Sequence, residues 1–132
     1  MSGAVLRVGG LTAGLRRFLG RSRLKPHRVY IKGKPASPGS KTLAKRSYFL
    51  VMVSNADGDE FSKQHRDAAR FLRRNMLELR SLPRYRLSGV IDFGVYDTRS
   101  YDNPMLSWRF SPSLLALFGQ AHLDAEVSIY NP

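Results

Sequence analysis

The chain contains no cysteine, which excludes disulfides and thiolate metal sites and fits a reducing compartment; a cytoplasmic location is the expectation. No apolar run approaches the ~20 residues that a membrane span requires. Acidic side chains are missing from the first 56 positions, the first being Asp57. Catalytic motifs are missing too. His27, His65 and His122 stand far apart, and neither HExxH nor any other paired ligand spacing occurs. No nucleophile–base pair or metal set can be assembled, so the chain is expected to be non-enzymatic, without metal or cofactor.

What is present is charge, unevenly placed. All of the net charge of +12 is accounted for by Met1–Ser47, which carries Arg7, Arg16, Arg17, Arg21, Arg23, Lys25, Arg28, Lys32, Lys34, Lys41, Lys45 and Arg46. After that point the remaining basic and acidic side chains cancel. A polyanion or a strongly acidic protein face is the natural partner for such a surface, because Coulomb attraction and counterion release both favour it. Charge blocks are usually solvated faces, yet an ordinary mixed surface intersperses both signs. Residues 1–25 also have the acid-free, Arg- and Ser-rich composition of an organellar transit peptide. Arg16 and Arg17 interrupt Leu15, Phe18 and Leu19, which excludes the apolar centre of a secretory signal.

The length of 132 residues fits one domain able to bury a core without staples. Ala4–Val8 reads as a short strand closed by Gly9-Gly10. Thr12 is placed to cap a helix over about 13–24, with Leu11, Leu15, Phe18 and Leu19 on one face and Pro26 as the stop. Arg28–Gly33 reads as a second strand, and residues 34–46, with two prolines, as an exposed and mobile basic loop. Ser47–Val53 is nearly continuous apolar, the pattern of a buried central strand. A long helix over about 60–82 follows. It carries Phe61, His65, Ala68, Ala69, Leu72, Met76 and Leu79 on one face, and Lys63–Asp67 and Arg74–Glu78 spaced as i,i+4 pairs on the other. Val90–Tyr96 is a strand, Ser111-Pro112 opens a short helix, and Leu123–Tyr130 alternates as a closing strand. The order β-α-β-β-α-β-α-β predicts an α+β two-layer sandwich, mostly antiparallel with helices on one face, close to ferredoxin-like topology.

Gln64–Leu79 (QHRDAARFLRRNMLEL), Val90–Val95 (VIDFGV), Phe110–Leu115 and Leu123–Tyr130 together resemble a family of short bacterial proteins catalogued as a domain of unknown function. That family has a long QxxDAxxFL-type helix, an LDFGI-like strand and a terminal strand ending SxY. Leu6–Gly10 and Lys32–Pro35 lie where its opening strand and KGEP-like turn would fall. The resemblance implies a bacterial, compact α+β protein and brings no activity or catalytic residue with it. His65 departs from the pattern, standing where an aliphatic residue is expected.

Several local patterns invite sharper readings. Val29–Gly33 and Arg46–Val51 resemble the two aromatic motifs of an RNA-recognition domain. Only a proline-rich loop separates them, however, and Tyr48 and Phe49 must point to opposite faces. Ordinary strand aromatics are therefore the reading. Gly33–Lys41 fails the phosphate-loop motif in both spacing and order. Asp97 and Asp102 fit a turn-rich stretch, Asp92 is expected to face water, and Trp108 is a core or rim aromatic.

Two functions from different classes remain. The first is a binding module whose basic N-terminal half docks on nucleic acid. The second is an inhibitor or immunity-type protein that grips an acidic face of a toxin or enzyme, where charge would speed association. In either case the expected contacts are Arg16, Arg17, Arg21 and Arg23 on the first helix and Lys34, Lys41, Lys45 and Arg46 on or beside the loop.

Overall fold

The computed structural model describes residues 3–132, an α+β chain with a five-stranded mixed sheet and three α-helices. In chain order the elements are β1 (Gly3–Gly10), α1 (Thr12–Arg21), β2 (Arg28–Tyr30), β3 (Ser47–Ser54), α2 (Phe61–Arg80), a 3-10 turn (Leu82–Tyr85), β4 (Ser88–Tyr96), α3 (Pro112–Ala121) and β5 (Leu123–Tyr130). The sheet order is β2-β3-β1-β4-β5. β1 is antiparallel to both β3 and β4, β2 is antiparallel to β3, and β5 runs parallel to β4. A parallel neighbour needs a crossover, and α3 supplies it. Among the described residues, no helix is long and apolar enough to cross a membrane.

Strand alternation decides where the core lies. Ala4, Leu6 and Val8 of β1, Phe49 and Val51 of β3, and Ile91 and Phe93 of β4 form one buried cluster with side chains from every helix. α1 contributes Leu15 and Phe18, α2 contributes Ala68, Leu72 and Leu79, and α3 contributes Leu114, Phe118 and Ala121. Phe18 stacks on Phe49 at 5.9 Å between ring centroids, and Phe93 meets Phe61 at 5.7 Å. All three helices therefore cover one side of the sheet and leave the other side open. Ser47–Val53 is corrected accordingly. Ser47, Phe49 and Val51 are buried and Val53 is partly so, but Tyr48, Leu50 and Met52 point to the uncovered side. A continuous apolar run cannot distinguish a strand covered on both faces from one whose outer face is also apolar.

Helix boundaries follow local chemistry. α1 begins after Leu11 with no side-chain cap; the expected cap, Thr12, instead places its Oγ1 2.6 Å from Ser47 Oγ. α1 stops at Arg21, short of the expected 24, because Ser22 turns its hydroxyl to the Glu78 carboxylate and Arg23 N–H donates to Glu78 Oε1 at 2.8 Å. α2 is anchored by Gln64, fully buried, whose Nε2 donates to the carbonyls of Ala56, Asp57 and Gly94. His65 packs against Phe61 and Phe110, and its Nε2 accepts the Ser111 N–H at 3.1 Å, the satisfied inner histidine that its helix position suggests. Ser111 Oγ accepts the Leu114 N–H at 3.1 Å and Pro112 follows it, so α3 opens as the sequence indicates.

Two expectations about α2 are overturned. Neither Lys63–Asp67 nor Arg74–Glu78 forms an ion pair among the described residues. Both carboxylates are drawn elsewhere: Ser54 Oγ donates to Asp67 at 2.7 Å, and Glu78 holds Ser22 and Arg23. An i,i+4 surface pair contributes only about 0.3–0.5 kcal/mol, so a hydrogen bond to a neighbouring chain segment outcompetes it. Residues 34–46 include partly buried positions at Ala36, Ser37, Ser40 and Ala44, and they are internally bonded. Gly33 N–H donates to Ala44 O, Ala44 N–H to Lys34 O, and Ala36 N–H to Thr42 O. The segment is a short, closed arm.

Candidate functional site

The open side of the sheet is built from side chains of one parity on each strand. β2 presents Arg28 and Tyr30, β3 presents Tyr48, Leu50 and Met52, and β1 presents Val5, Arg7 and Gly9. β4 adds Ser88, Val90 and Asp92, and β5 adds Asp124, Glu126 and Ser128. Because β2 and β3 lie on one flank and β5 on the other, the face divides by charge. Its β2-β3-β1 part is cationic and aromatic, and its β4-β5 part is acidic.

Tyr30 and Tyr48 are register partners, and their rings stack at 4.5 Å between centroids with 21° between planes. The Arg28 guanidinium lies 5.4 Å from the Tyr30 centroid, a cation–π contact that extends the pile. Tyr48 faces Tyr30 on one side; on the other its register neighbour is Gly9, which has no side chain. A Cβ at Gly9 would meet the Tyr48 Cβ and the Ser47 carbonyl oxygen at 3.3 Å, so the missing atom keeps that side of the tyrosine clear.

That gap opens into a depression of ≈ 850 Å³ whose lining includes Arg7, Gly9, Lys32, Lys45, Arg46 and Tyr48. Leu11, just before α1, and Thr12, its first residue, also border it, with no acidic side chain in the first turn of that helix. Ser47 ties the rim together: its Oγ accepts the Lys32 N–H at 2.9 Å and meets Thr12 Oγ1. Arg7 reaches Glu126 at 3.6 Å, both half-exposed. Lys32, Lys45 and Arg46 have no ion-pair partner among the described residues. Asp124 lines the β5 edge of the depression and is the one acidic side chain in a lining that holds Arg7, Lys32, Lys45 and Arg46. A cationic excess beside an aromatic ring and above a glycine floor is complementary to a phosphate carrying a planar base.

The eight expected contact residues are not brought together. Lys45 and Arg46 line the depression, joined there by Arg7 and Lys32, two members of the basic run outside the expected eight. Lys34 and Lys41 are exposed on the closed arm and do not line it. Arg16, Arg17, Arg21 and Arg23 are exposed on the helical side, where Arg17 lies 5.9 Å from the Tyr85 ring centroid. Asp92 also departs from expectation. It sits on the open face but only half exposed, accepting from Ser128 Oγ at 2.8 Å, with its Oδ1 buried and without a hydrogen bond.

Sequence reasoning missed the Arg28–Tyr30–Tyr48 pile and the gap at Gly9. Tyr48 and Phe49 do point to opposite faces, as alternation requires, but Tyr48 shares the open face with Tyr30. The available signal was parity: with Phe49 assigned to the core, Tyr48 had to be on the solvent side. Comparison of the chain with protein-family models, with curated proteins and with solved structures gives no match.

Proposed function

We propose that the protein is a non-enzymatic module that binds single-stranded nucleic acid on the open face of its sheet. The observation that carries this reading is the junction of the Arg28–Tyr30–Tyr48 pile with the unpaired cations Lys32, Lys45 and Arg46 across the Gly9 gap. A base that stacks on the free side of Tyr48 continues the pile, and its phosphate enters the cationic depression. Such contacts are tolerant of sequence, since every base has a π-face and every nucleotide a phosphate. Asp92 and Glu126, with Asp124 at the edge of the depression, make the β4-β5 flank acidic and direct the chain toward β2 and the basic arm.

We read β1 through β4 as a ferredoxin-like unit with α3–β5 appended, which is the layout that exposes one sheet face for base stacking in RNA-binding sheets. The strand order β2-β3-β1-β4, antiparallel throughout, supports this assignment. A folded acidic protein fits the site less well, because a gap over glycine beside a bare ring accepts a thin planar group.

The test is Tyr48→Ala against Tyr48→Phe, titrated with a labelled single-stranded hexanucleotide. Loss of one stacking partner costs about 1–3 kcal/mol, which is roughly 5- to 150-fold in affinity, and Tyr48→Phe stays near wild type. Equal affinities for wild type and Tyr48→Ala remove the stacking reading.

A further inference from the structure

The helical side carries a second basic surface that the sequence distribution conceals. α2 belongs to the half of the chain whose charges cancel, and two of its acidic positions are spaced to neutralise its cations. Both have been removed from that role. Asp67 accepts from Ser54 Oγ at the sheet end, and Glu78 accepts from Ser22 and Arg23 at the α1 end. What remains on the outer side is Lys63, Arg66, Arg70, Arg73, Arg74 and Arg80, all exposed. At 100° per residue the five from Lys63 to Arg74 fall within about 100° of the helix circumference, and Arg80 follows a break in helical geometry at Asn75. None has an ion-pair partner among the described residues. Arg16, Arg17 and Arg21 of α1 are exposed on the same layer.

We propose that the outer face of α2 is a second polyanion-binding surface, which takes the phosphate backbone of double-stranded nucleic acid. From Lys63 to Arg74 its cations recur every helical turn over about 17 Å, enough to follow roughly five base-pair steps of a duplex. The strip has no aromatic side chain on it to receive an unstacked base. Tyr85 lies in a small hollow beside Glu78 and Arg21, and its ring is already engaged by the Arg17 guanidinium at 5.9 Å. A convex, purely cationic ridge contacts backbones and reads no bases, which suits a duplex whose bases are already stacked. An anionic bilayer is the weaker fit. Leu77, 85% exposed, is the one large apolar side chain on the strip, whereas a helix lying in a membrane interface buries an apolar face there. With the open sheet face holding a single strand, one molecule would bridge two nucleic-acid segments; the duplex site does not depend on that reading.

The experiment compares wild type, the triple variant Arg66→Gln/Arg70→Gln/Arg73→Gln, and the charge-keeping triple Arg66→Lys/Arg70→Lys/Arg73→Lys. Each is titrated with a mixed-sequence 20-base-pair duplex, with a single-stranded hexanucleotide too short to reach both faces, and with vesicles containing phosphatidylserine. The inference predicts that the Gln triple binds the duplex at least tenfold more weakly, with the log–log salt slope shallower by about 2.7. Its hexanucleotide affinity stays within threefold of wild type, and the Lys triple stays near wild type throughout. Retention of the hexanucleotide affinity also shows that the Gln triple is folded. Undetectable duplex binding by wild type at 50 mM salt, or equal duplex affinity of wild type and the Gln triple, overturns the proposal. Vesicle binding that the Gln triple loses while duplex binding persists overturns it in favour of a membrane. Failure of Tyr48→Ala to weaken the hexanucleotide would sink the single-strand reading alone and leave the duplex site standing.

Discussion

Neutralising the depression should change how strongly salt opposes single-strand binding, by an amount the structure fixes. Lys32, Lys45 and Arg46 are unpaired, whereas Arg7 is engaged with Glu126. Three phosphate contacts on a single strand give a log–log slope of about −2.1, so affinity should fall roughly 20-fold between 50 and 200 mM salt. The triple variant Lys32→Ala/Lys45→Ala/Arg46→Ala should bind the hexanucleotide more weakly at 50 mM and show a slope near zero. Glu126→Gln should do the reverse. It releases Arg7 to a fourth phosphate, steepens the slope to about −2.8, and raises affinity at low salt. Fluorescence anisotropy at four salt concentrations measures all three slopes. If wild type and the triple variant share one slope, the depression is not where the phosphates lie. If Glu126→Gln leaves the slope unchanged, Arg7 is not held in reserve.

Three further expectations concern the scaffold. Leu72→Ala should cost about 2–5 kcal/mol in chemical denaturation, because Leu72 is fully buried between α2 and the sheet, while exposed Arg73→Ala should stay within about 0.5; equal small losses would mean that α2 presents another face to the core. Helix propensity alone says that Gly14→Ala in α1 stabilises by about 1 kcal/mol. The added Cβ would lie 2.4 Å from the Tyr85 carbonyl oxygen, so a net loss of about 1–3 kcal/mol is expected, and a higher melting temperature would contradict it. Hydrogen bonds from the Arg99 side chain and backbone hold the Asp97 carboxyl down at about 2; its contribution to stability is present above the usual carboxylate range and is lost as pH falls toward that value. An NMR titration of the carboxyl carbon with an ordinary midpoint would remove that ion pair.

The core was legible in the sequence because period-two and period-3.6 patterns survive whatever they pack against. Leu6, Val8, Leu15, Phe18, Leu72 and Leu79 follow from spacing alone, and so do Ser111-Pro112 at the start of α3. The outer sheet face was not legible as a surface. Tyr48, Leu50 and Met52 are as apolar as the buried residues between them, so the run carries no period until β1 and α2 determine which side is covered. Lys45 and Arg46 could be picked as candidates from charge alone, but that they line one depression with Arg7 and Lys32 could not, since three strands and a helix terminus gather them. Charge on α2 was misjudged for the same reason. Ser22 and Arg23 lie more than fifty positions from Glu78 in sequence, and local i,i+4 spacing gives no warning that they will claim its carboxylate.

The most direct test of single-strand binding on the open sheet face is an amide and side-chain NMR titration of the labelled protein with the hexanucleotide at 50 mM salt. Saturable shifts should centre on Arg7, Gly9, Tyr30, Lys32, Lys45 and Tyr48, with ring protons of Tyr48 moving upfield as a base stacks on it, while the amides of β5 beyond Asp124 stay in place. Shifts confined to α1 and α2, or no shifts at saturating oligonucleotide, would contradict the account.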